Sequence, residues 1–386
     1  MFFSNRTLWV EAPAIGSPEC PFDLTETNPT RAGLLEPARM SALIQGVGHY
    51  DPSPFGARSA RLAVSSYYQR RGHIVDPERV VLSASTSEAY SWLFKLLADP
   101  GDVLLVPEPS YPLFDCLAKL EGVRLSPYAL RKEDHFRLDV AELFRRVDGE
   151  PAMRGIIVVA PNNPTGTVLH EEDAALLEQG ACERRIPLIV DEVFADYLDV
   201  AASLRSRLRA SFASSSTTLT FVMSGLSKVA CCPGAKLAWT IVNGPDSWRA
   251  AALERLGVVA DTFLSVGSPV QAALPQLLAQ SDAVHAELNA RLSLNRAGLK
   301  LACEQTRGAA SVLPSHGGWS AIVELPRVVS EAEWQARFSA AGVKVSPGAL
   351  FDIPGGRSLV LSLIVEPALF REATQRMVAT IIPLLT

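Results

Sequence analysis

The chain has 386 residues, of which 48% are hydrophobic and 20% charged, with a formal net charge of −5. That length is too great for one small core and predicts two lobes. The negative balance excludes a protein that grips nucleic acid by charge, because no surplus of cations would neutralise the phosphates.

Residues 1–45 are irregular and Pro-rich and read as an arm crossing the surface, preceding a lobe over 46–270. No basic segment leads into an apolar stretch with a small-residue cleavage site here, so a cytoplasmic location is expected. Within 46–270, short apolar runs at 79–84, 102–106, 156–160, 187–190, 219–223 and 236–242 alternate with helical patterns. Several are apolar throughout, which suits strands covered on both faces, so the fold class is α/β with a largely parallel sheet covered by helices. Ligands gather at the carboxyl ends of such strands, and polar punctuation falls there at 83–87, 107–111, 161–166 and 191–194. Residues 271–386 form the second unit. An Ala/Leu-rich helix over about 270–303 precedes strands at 320–325, 343–345 and 359–364, with helices at 330–341 and 366–385, a smaller α+β domain. The longest apolar runs, 155–160 and 358–365, are too short to span a membrane. Six cysteines at 20, 116, 182, 231, 232 and 303 form no C-x-x-C pair and read as buried thiols in a reducing cytoplasm, without a metal site.

Four local patterns carry chemistry. Ser85-Thr86-Ser87-Glu88 follows a strand and opens a helix whose apolar face is Ala89, Trp92, Leu93, Leu96 and Leu97. Ser85 and Glu88 have capping-box spacing, and the helix start offers N–H groups and hydroxyls to a phosphate, although capping alone would account for them. Asn162-Asn163-Pro164-Thr165-Gly166 has the chemistry of a turn and needs no other role. Asp191 ends a buried strand, where its carboxylate requires a partner: a protonated ring nitrogen or a backbone donor. Lys228, in Ser224-Gly225-Leu226-Ser227-Lys228, stands between apolar Leu226 and Val229. Shielding from water would lower its pKa and make its amine a nucleophile, whereas a solvated lysine would have no such role.

Taken in order, these patterns resemble the aspartate-aminotransferase-like, fold type I, pyridoxal-phosphate-dependent family. The resemblance also takes in Glu108-Pro109-Ser110-Tyr111-Pro112, Asp191-Glu192-Val193-Phe194 and Pro233-Gly234-Ala235-Lys236. It implies pyridoxal 5'-phosphate held as a Schiff base on Lys228, with Asp191 on the pyridinium nitrogen and Asn163 on the phenolic oxygen. Tyr111 is implied on the ring face, and Ser85, Thr86, Ser87, Ser227 and Lys236 around the phosphate. Tyr50, in Gly48-His49-Tyr50-Asp51-Pro52, is implied to reach the phosphate of the neighbouring subunit, which makes the active unit a homodimer. The implied reaction transfers an amino group from a small-molecule amine donor to a 2-oxo acid acceptor. A lyase, decarboxylase or racemase on the same scaffold is the alternative. A cofactor-binding regulator without turnover is a more distant one, since no DNA-binding module precedes this region.

Four departures from the family pattern stand out. Phe194 occupies a usual Tyr position, Lys236 a usual Arg, and Gly225 a frequent Ser. Val360 occupies the strand position where an Arg commonly clamps the substrate carboxylate. Arg31, after Thr27-Asn28-Pro29-Thr30, is therefore expected to take part of that clamp together with Asn28, with Arg357 at the strand entry as the rival.

Overall fold

The structure, a computed structural model, describes residues 6, 20–34 and 52–385. Tyr50 lies outside the described residues. Near the start, β1 (Phe22–Asp23) pairs in parallel with Val343–Lys344, so this part of the arm is docked on the C-terminal lobe.

A seven-stranded sheet organises the large lobe. Its strands are β2 (Val80–Ser83), β3 (Val103–Glu108), β4 (Arg124–Ala129), β5 (Met153–Val159), β6 (Leu188–Asp191), β7 (Thr220–Gly225) and β8 (Ala238–Asn243), in the order β2-β8-β7-β6-β5-β3-β4. All neighbours are parallel except that β8 runs antiparallel to both β2 and β7. Consequently β2, β3, β5, β6 and β7 all end on one edge, and β8 begins there. Alternate residues serve opposite faces. Val80, Leu82, Leu105, Ile156 and Val190 share a core with the helices Arg58–Gln69, Val140–Gly149, Glu171–Arg184 and Ser268–Ala279. Val81, Leu104, Ile157, Ile189 and Phe221 share another with Thr86–Leu97, Leu113–Glu121 and Asp246–Phe263. Burial on both faces is why these strands read as unbroken apolar runs.

The second lobe contains β9 (Ser311–Val312), β10 (Ser320–Glu324), β11 (Val343–Lys344), β12 (Ser346–Pro347) and β13 (Ser358–Ser362). Four of these form an antiparallel sheet ordered β12-β13-β10-β9. The helix expected over about 270–303 is two helices, Ser268–Ala279 and Ser281–Glu304, parted at Gln280, where the Ser281 hydroxyl donates to the Leu278 carbonyl at 2.8 Å. Val270, Leu274 and Leu277 pack with the large sheet, while Val284, Leu288 and Leu292 pack with the small one. Packing therefore changes allegiance at Gln280. No described helix is long and apolar enough to cross a membrane.

The lobes meet through glycine. His316 N–H donates to the Gly166 carbonyl at 3.0 Å, and Gly166 has φ +69°. A Cβ on Gly166 would stand 2.2 Å from the Gly317 oxygen, and one on Gly317 would stand 2.0 Å from the Tyr197 oxygen. Neither position has room for a side chain. This contact docks the turn after β5 against the segment that leads into Trp319.

Candidate active site

The turns that follow β2, β3, β5, β6 and β7 converge on one sheet edge. Ser85 caps the helix Thr86–Leu97, accepting from Glu88 N–H at 3.1 Å, and Glu88 in return accepts from Ala84 N–H at 2.7 Å. The hydroxyl of Ser85 is thus engaged in capping. Those of Thr86 and Ser87, both half-buried, make no hydrogen bond to a described residue.

After β5, Asn162 builds the turn. Its Oδ1 accepts from Thr165 N–H at 3.2 Å and from the Thr165 hydroxyl at 2.9 Å, and its carbonyl accepts from Gly166 N–H at 2.7 Å. That division of labour leaves the half-buried side chain of Asn163 without a structural task among the described residues.

Asp191, 9% exposed, ends β6. Its Oδ2 accepts from the Tyr90 hydroxyl at 3.1 Å, and its Oδ1 accepts from Val193 N–H at 3.1 Å. Burial pushes the carboxyl up to about 6, although both donors and the charge on Lys228 pull it back down. Lys228 sits in the helical turn Leu226–Val229 that follows β7. Burial lowers its amine to about 8, against the opposing influence of Cys231 and Asp191. Its Nζ lies 4.4 Å from the centre of the Trp319 ring and 5.4 Å from that of Phe194. Those two rings meet edge to face with centroids 5.5 Å apart. Among the described residues, the ammonium is therefore supported by aromatic faces and not by an ion pair.

The remaining expected residues lie around this centre or apart from it. Tyr111 is 44% exposed, edge-on to Phe114 at 6.2 Å, and its phenol is raised by burial and then by the charge on Asp191. Ser227 is half-buried beside Lys228, and Lys236 is exposed in a left-handed conformation with φ 54° just before β8. Gly225 has a steric cause: a Cβ there would stand 2.9 Å from that of Ala238 on β8.

On β13, Val360 pairs with Ile322 and with Ser346, is 4% exposed, and shares the large-lobe core with Ile322 and Ile353. Arg357 is held by Glu324 at 2.9 Å, and the same carboxylate takes Lys132 from the large lobe. Asn28 uses its Oδ1 on Thr30, accepting from N–H at 3.0 Å and from the hydroxyl at 2.7 Å. The Arg31 side chain is 77% exposed, with Glu26 at 3.6 Å. The segment carrying both nonetheless lies against β13: Ser362 N–H donates to the Leu24 carbonyl at 2.8 Å and its hydroxyl to that of Glu26 at 2.5 Å.

Tyr90 and Trp319 escape a reading of the sequence. Tyr90 is four residues past Thr86 on the same helix, a spacing that directs it back over the phosphate-type turn. Trp319 follows Gly317-Gly318 into a strand, a placement that marks close backbone approach.

The residues fit pyridoxal phosphate. A buried carboxyl with no cation in contact among the described residues is what a protonated ring nitrogen would relieve. The hydroxyls of Ser110 and Ser224 are buried without a hydrogen-bond partner among the described residues, so polar capacity is left over in the turn after β3 and at the end of β7. A helix N-terminus with two uncommitted hydroxyls suits a phosphate. The sheet order, with helices on both faces, is that of the fold type I pyridoxal-phosphate-dependent proteins.

The chain belongs to the class I and II aminotransferase family, whose profile matches residues 24–375. Members of this family use pyridoxal 5'-phosphate. The chain is 30% identical over 224 residues to the glutamate–pyruvate aminotransferase of Escherichia coli, a match covering 58% of this chain and 54% of that protein. It thus spans about half the length of that relative. It is 25% identical over 376 residues to the valine–pyruvate aminotransferase of Mycobacterium tuberculosis, covering 96% and 89% of the two chains. Among solved structures, the alanine aminotransferase of Pyrococcus furiosus superposes with a TM-score of 0.82 at 22% identity, covering 93% of this chain and 91% of that one. This last likeness is one of fold.

Proposed function

We propose that this chain transfers an amino group between an amino acid or related amine and a 2-oxo acid. The carrying observation is Lys228, a half-buried amine lowered to about 8, at the same sheet edge as buried Asp191. The activities named for the Escherichia coli and Mycobacterium tuberculosis relatives support the reading.

Bound pyridoxal phosphate supplies an aldehyde for covalent attachment and a ring that takes up electrons. In this assignment Lys228 would hold the group covalently through its side-chain amine. The Lys228 amine, when not bonded to the group, would be the residue that takes a proton from the substrate carbon bearing nitrogen and gives it back. An amine with a pKa near 8 both accepts and releases a proton close to neutrality. Asp191 holds the ring-nitrogen proton, with Tyr90 steadying its Oδ2. Asn163 donates to the phenolic oxygen, and Tyr111 covers the ring. Ser85, Thr86, Ser87, Ser227 and Lys236 hold the phosphate, with Tyr50 reaching in from a second copy of the chain. Arg31 and Asn28 take the substrate carboxylate, since Val360 cannot and Arg357 is committed to Glu324. The docking of their segment on β13 supports this, and the exposed Arg31 side chain makes a loose contact with Glu26.

The working unit in this reading is a homodimer. Exposed apolar Val258, Phe263 and Leu264, close to the helix that opens at the phosphate-type turn, support an interface there. A cytoplasmic setting agrees with six cysteines that form no disulfide.

A single-turnover experiment tests the reaction. The holoprotein is mixed with a panel of amino acids and amines, without an acceptor. Transfer converts the cofactor to pyridoxamine phosphate in proportion to active sites. Product released from unchanged cofactor identifies a lyase, decarboxylase or racemase instead. Inertness to the whole panel, with bound cofactor, returns the protein to a binding role.

A further inference from the structure

We propose that Tyr197 and His285 are positioning residues that aim the Lys228 amine by gripping two successive backbone carbonyls of its turn. The turn Leu226–Val229 is only four residues long, so its last carbonyls have few partners within it. The Lys228 carbonyl accepts from the Tyr197 hydroxyl at 2.5 Å, and the Val229 carbonyl faces His285 Nε2 at 2.7 Å.

The tautomer of His285 follows from its neighbours. Arg71 Nη2 lies 3.1 Å from His285 Nδ1, and a guanidinium only donates. Nδ1 therefore accepts, Nε2 carries the proton, and Nε2–H donates to Val229. Arg71 is itself fixed. Its Nε donates to Asp196 Oδ1 at 2.7 Å, its Nη2 to Asp282 at 3.3 Å, and its guanidinium lies 3.8 Å from the centre of the Tyr67 ring. Asp196 Oδ2 accepts from the Tyr67 hydroxyl at 2.6 Å, and the Asp196 carbonyl accepts from Asn289 Nδ2 at 3.1 Å. The Tyr197 ring stands edge-on to His285 at 5.5 Å and to Trp319 at 5.3 Å, and Trp319 is the surface under the Lys228 amine.

Elements remote in sequence thus meet around the turn that carries Lys228: Tyr197 and His285 hold its last two carbonyls, Arg71 holds His285 and Asp196, and Trp319 lies under the amine. Tyr67, Tyr197 and His285 are buried, so these bonds are shielded from competing water. Nζ ends a long flexible stem, so a small tilt of the turn shifts it by a distance comparable to a reacting bond. A misplacement of about 1 Å can cost on the order of 100-fold in rate.

This inference rests on Lys228 as the attachment point, and the test separates the two. His285→Leu, His285→Gln and Tyr197→Phe are prepared as holoproteins beside wild type and Lys228→Ala. Three readouts are taken: melting temperature, the absorbance titration of the Lys228-bound cofactor, and kcat and KM for whichever donor the panel reveals. His285→Leu and Tyr197→Phe are expected to lower kcat about 10–100-fold with KM little changed, and to move the titration midpoint. His285→Gln, which keeps an N–H donor, is expected to recover most of both. If His285→Leu does not fold, Tyr197→Phe, which loses a single oxygen, decides the matter by the same readouts. The proposal is overturned if these variants melt lower yet titrate and turn over as wild type. A borohydride-trapped adduct that persists in Lys228→Ala would instead overturn the attachment reading beneath it.

Discussion

The Tyr90 hydroxyl donates to Asp191 Oδ2 at 3.1 Å, inside a core where both side chains are at least nine-tenths buried. The first stands four residues into the helix that opens at the phosphate-type turn, and the second ends β6. One bond therefore ties the helix whose start suits a phosphate to the carboxylate assigned to the ring nitrogen.

That carboxylate is costly before cofactor arrives. Asp191 has its pKa raised from 3.8 to about 6, chiefly by burial. Where a folded-state pKa exceeds the unfolded one, the unfolded chain loses its proton first, so the folded state loses stability as pH rises between the two values. At 1.36 kcal/mol per pKa unit the full effect is about 3 kcal/mol above pH 6. Cofactor-free Asp191→Asn should therefore be more stable than cofactor-free wild type at pH 8, by about 1–3 kcal/mol, with the gap closing towards pH 4. Denaturant melts of both proteins at the two pH values measure it. A gap that does not depend on pH would mean that Asp191 is not held in this buried, uncompensated state. With cofactor bound, the same variant should lose activity far more than affinity.

In the proposed site, Phe194 in place of the family's usual Tyr would leave the phenolic oxygen short of one donor. Its ring is buried against Trp319 and lies 5.4 Å from Lys228 Nζ, so a hydroxyl added to it enters the neighbourhood of the amine. Phe194→Tyr should stabilise the ionised phenol and shift the absorbance titration of the Lys228-bound cofactor to lower pH. A midpoint that stays in place or rises would show that the added hydroxyl does not reach the ring oxygen.

Substrate carboxylate recognition separates three arginine positions. Losing a charge-assisted contact costs about 1.5–3 kcal/mol and raises KM. Arg31→Ala should show that loss. Arg357→Ala should leave KM for the donor nearly unchanged, because its guanidinium is already paired with Glu324. Val360→Arg would bury a guanidinium beside Ile322 and Ile353 and should destabilise the protein unless a carboxylate substrate compensates. Steady-state kinetics and melts with and without donor distinguish these. A crippled Arg357→Ala beside a normal Arg31→Ala would move the clamp to the strand entry.

Much of the site edge is legible in the residues themselves, because strand ends and turns write their chemistry locally. Ser85 caps and Asn162 turns through contacts three or four residues away, and Lys228 and Asp191 each follow an apolar run. What the sequence conceals is long-range. β4 reads Arg124-Leu-Ser-Pro-Tyr-Ala, and Pro127 is tolerable there only because the strand lies at the sheet edge. Gln280 is compatible with a helix, so nothing local separates the helix Ser268–Ala279 from Ser281–Glu304. Tyr67, Tyr197 and His285 look like ordinary members of apolar faces. Their roles arise from partners 31 to 129 positions away for Tyr197 and Tyr67, and 56 and 214 positions away for His285.

Every role assigned at this site depends on Lys228 carrying the cofactor. Borohydride reduction of the native holoprotein, followed by peptide mapping by mass, reads out the attachment point. A single pyridoxyl-modified peptide containing Lys228 is expected, and none from Lys228→Ala treated alike. A label on Lys236 or any other lysine, or an adduct that survives in Lys228→Ala, would refute the assignment.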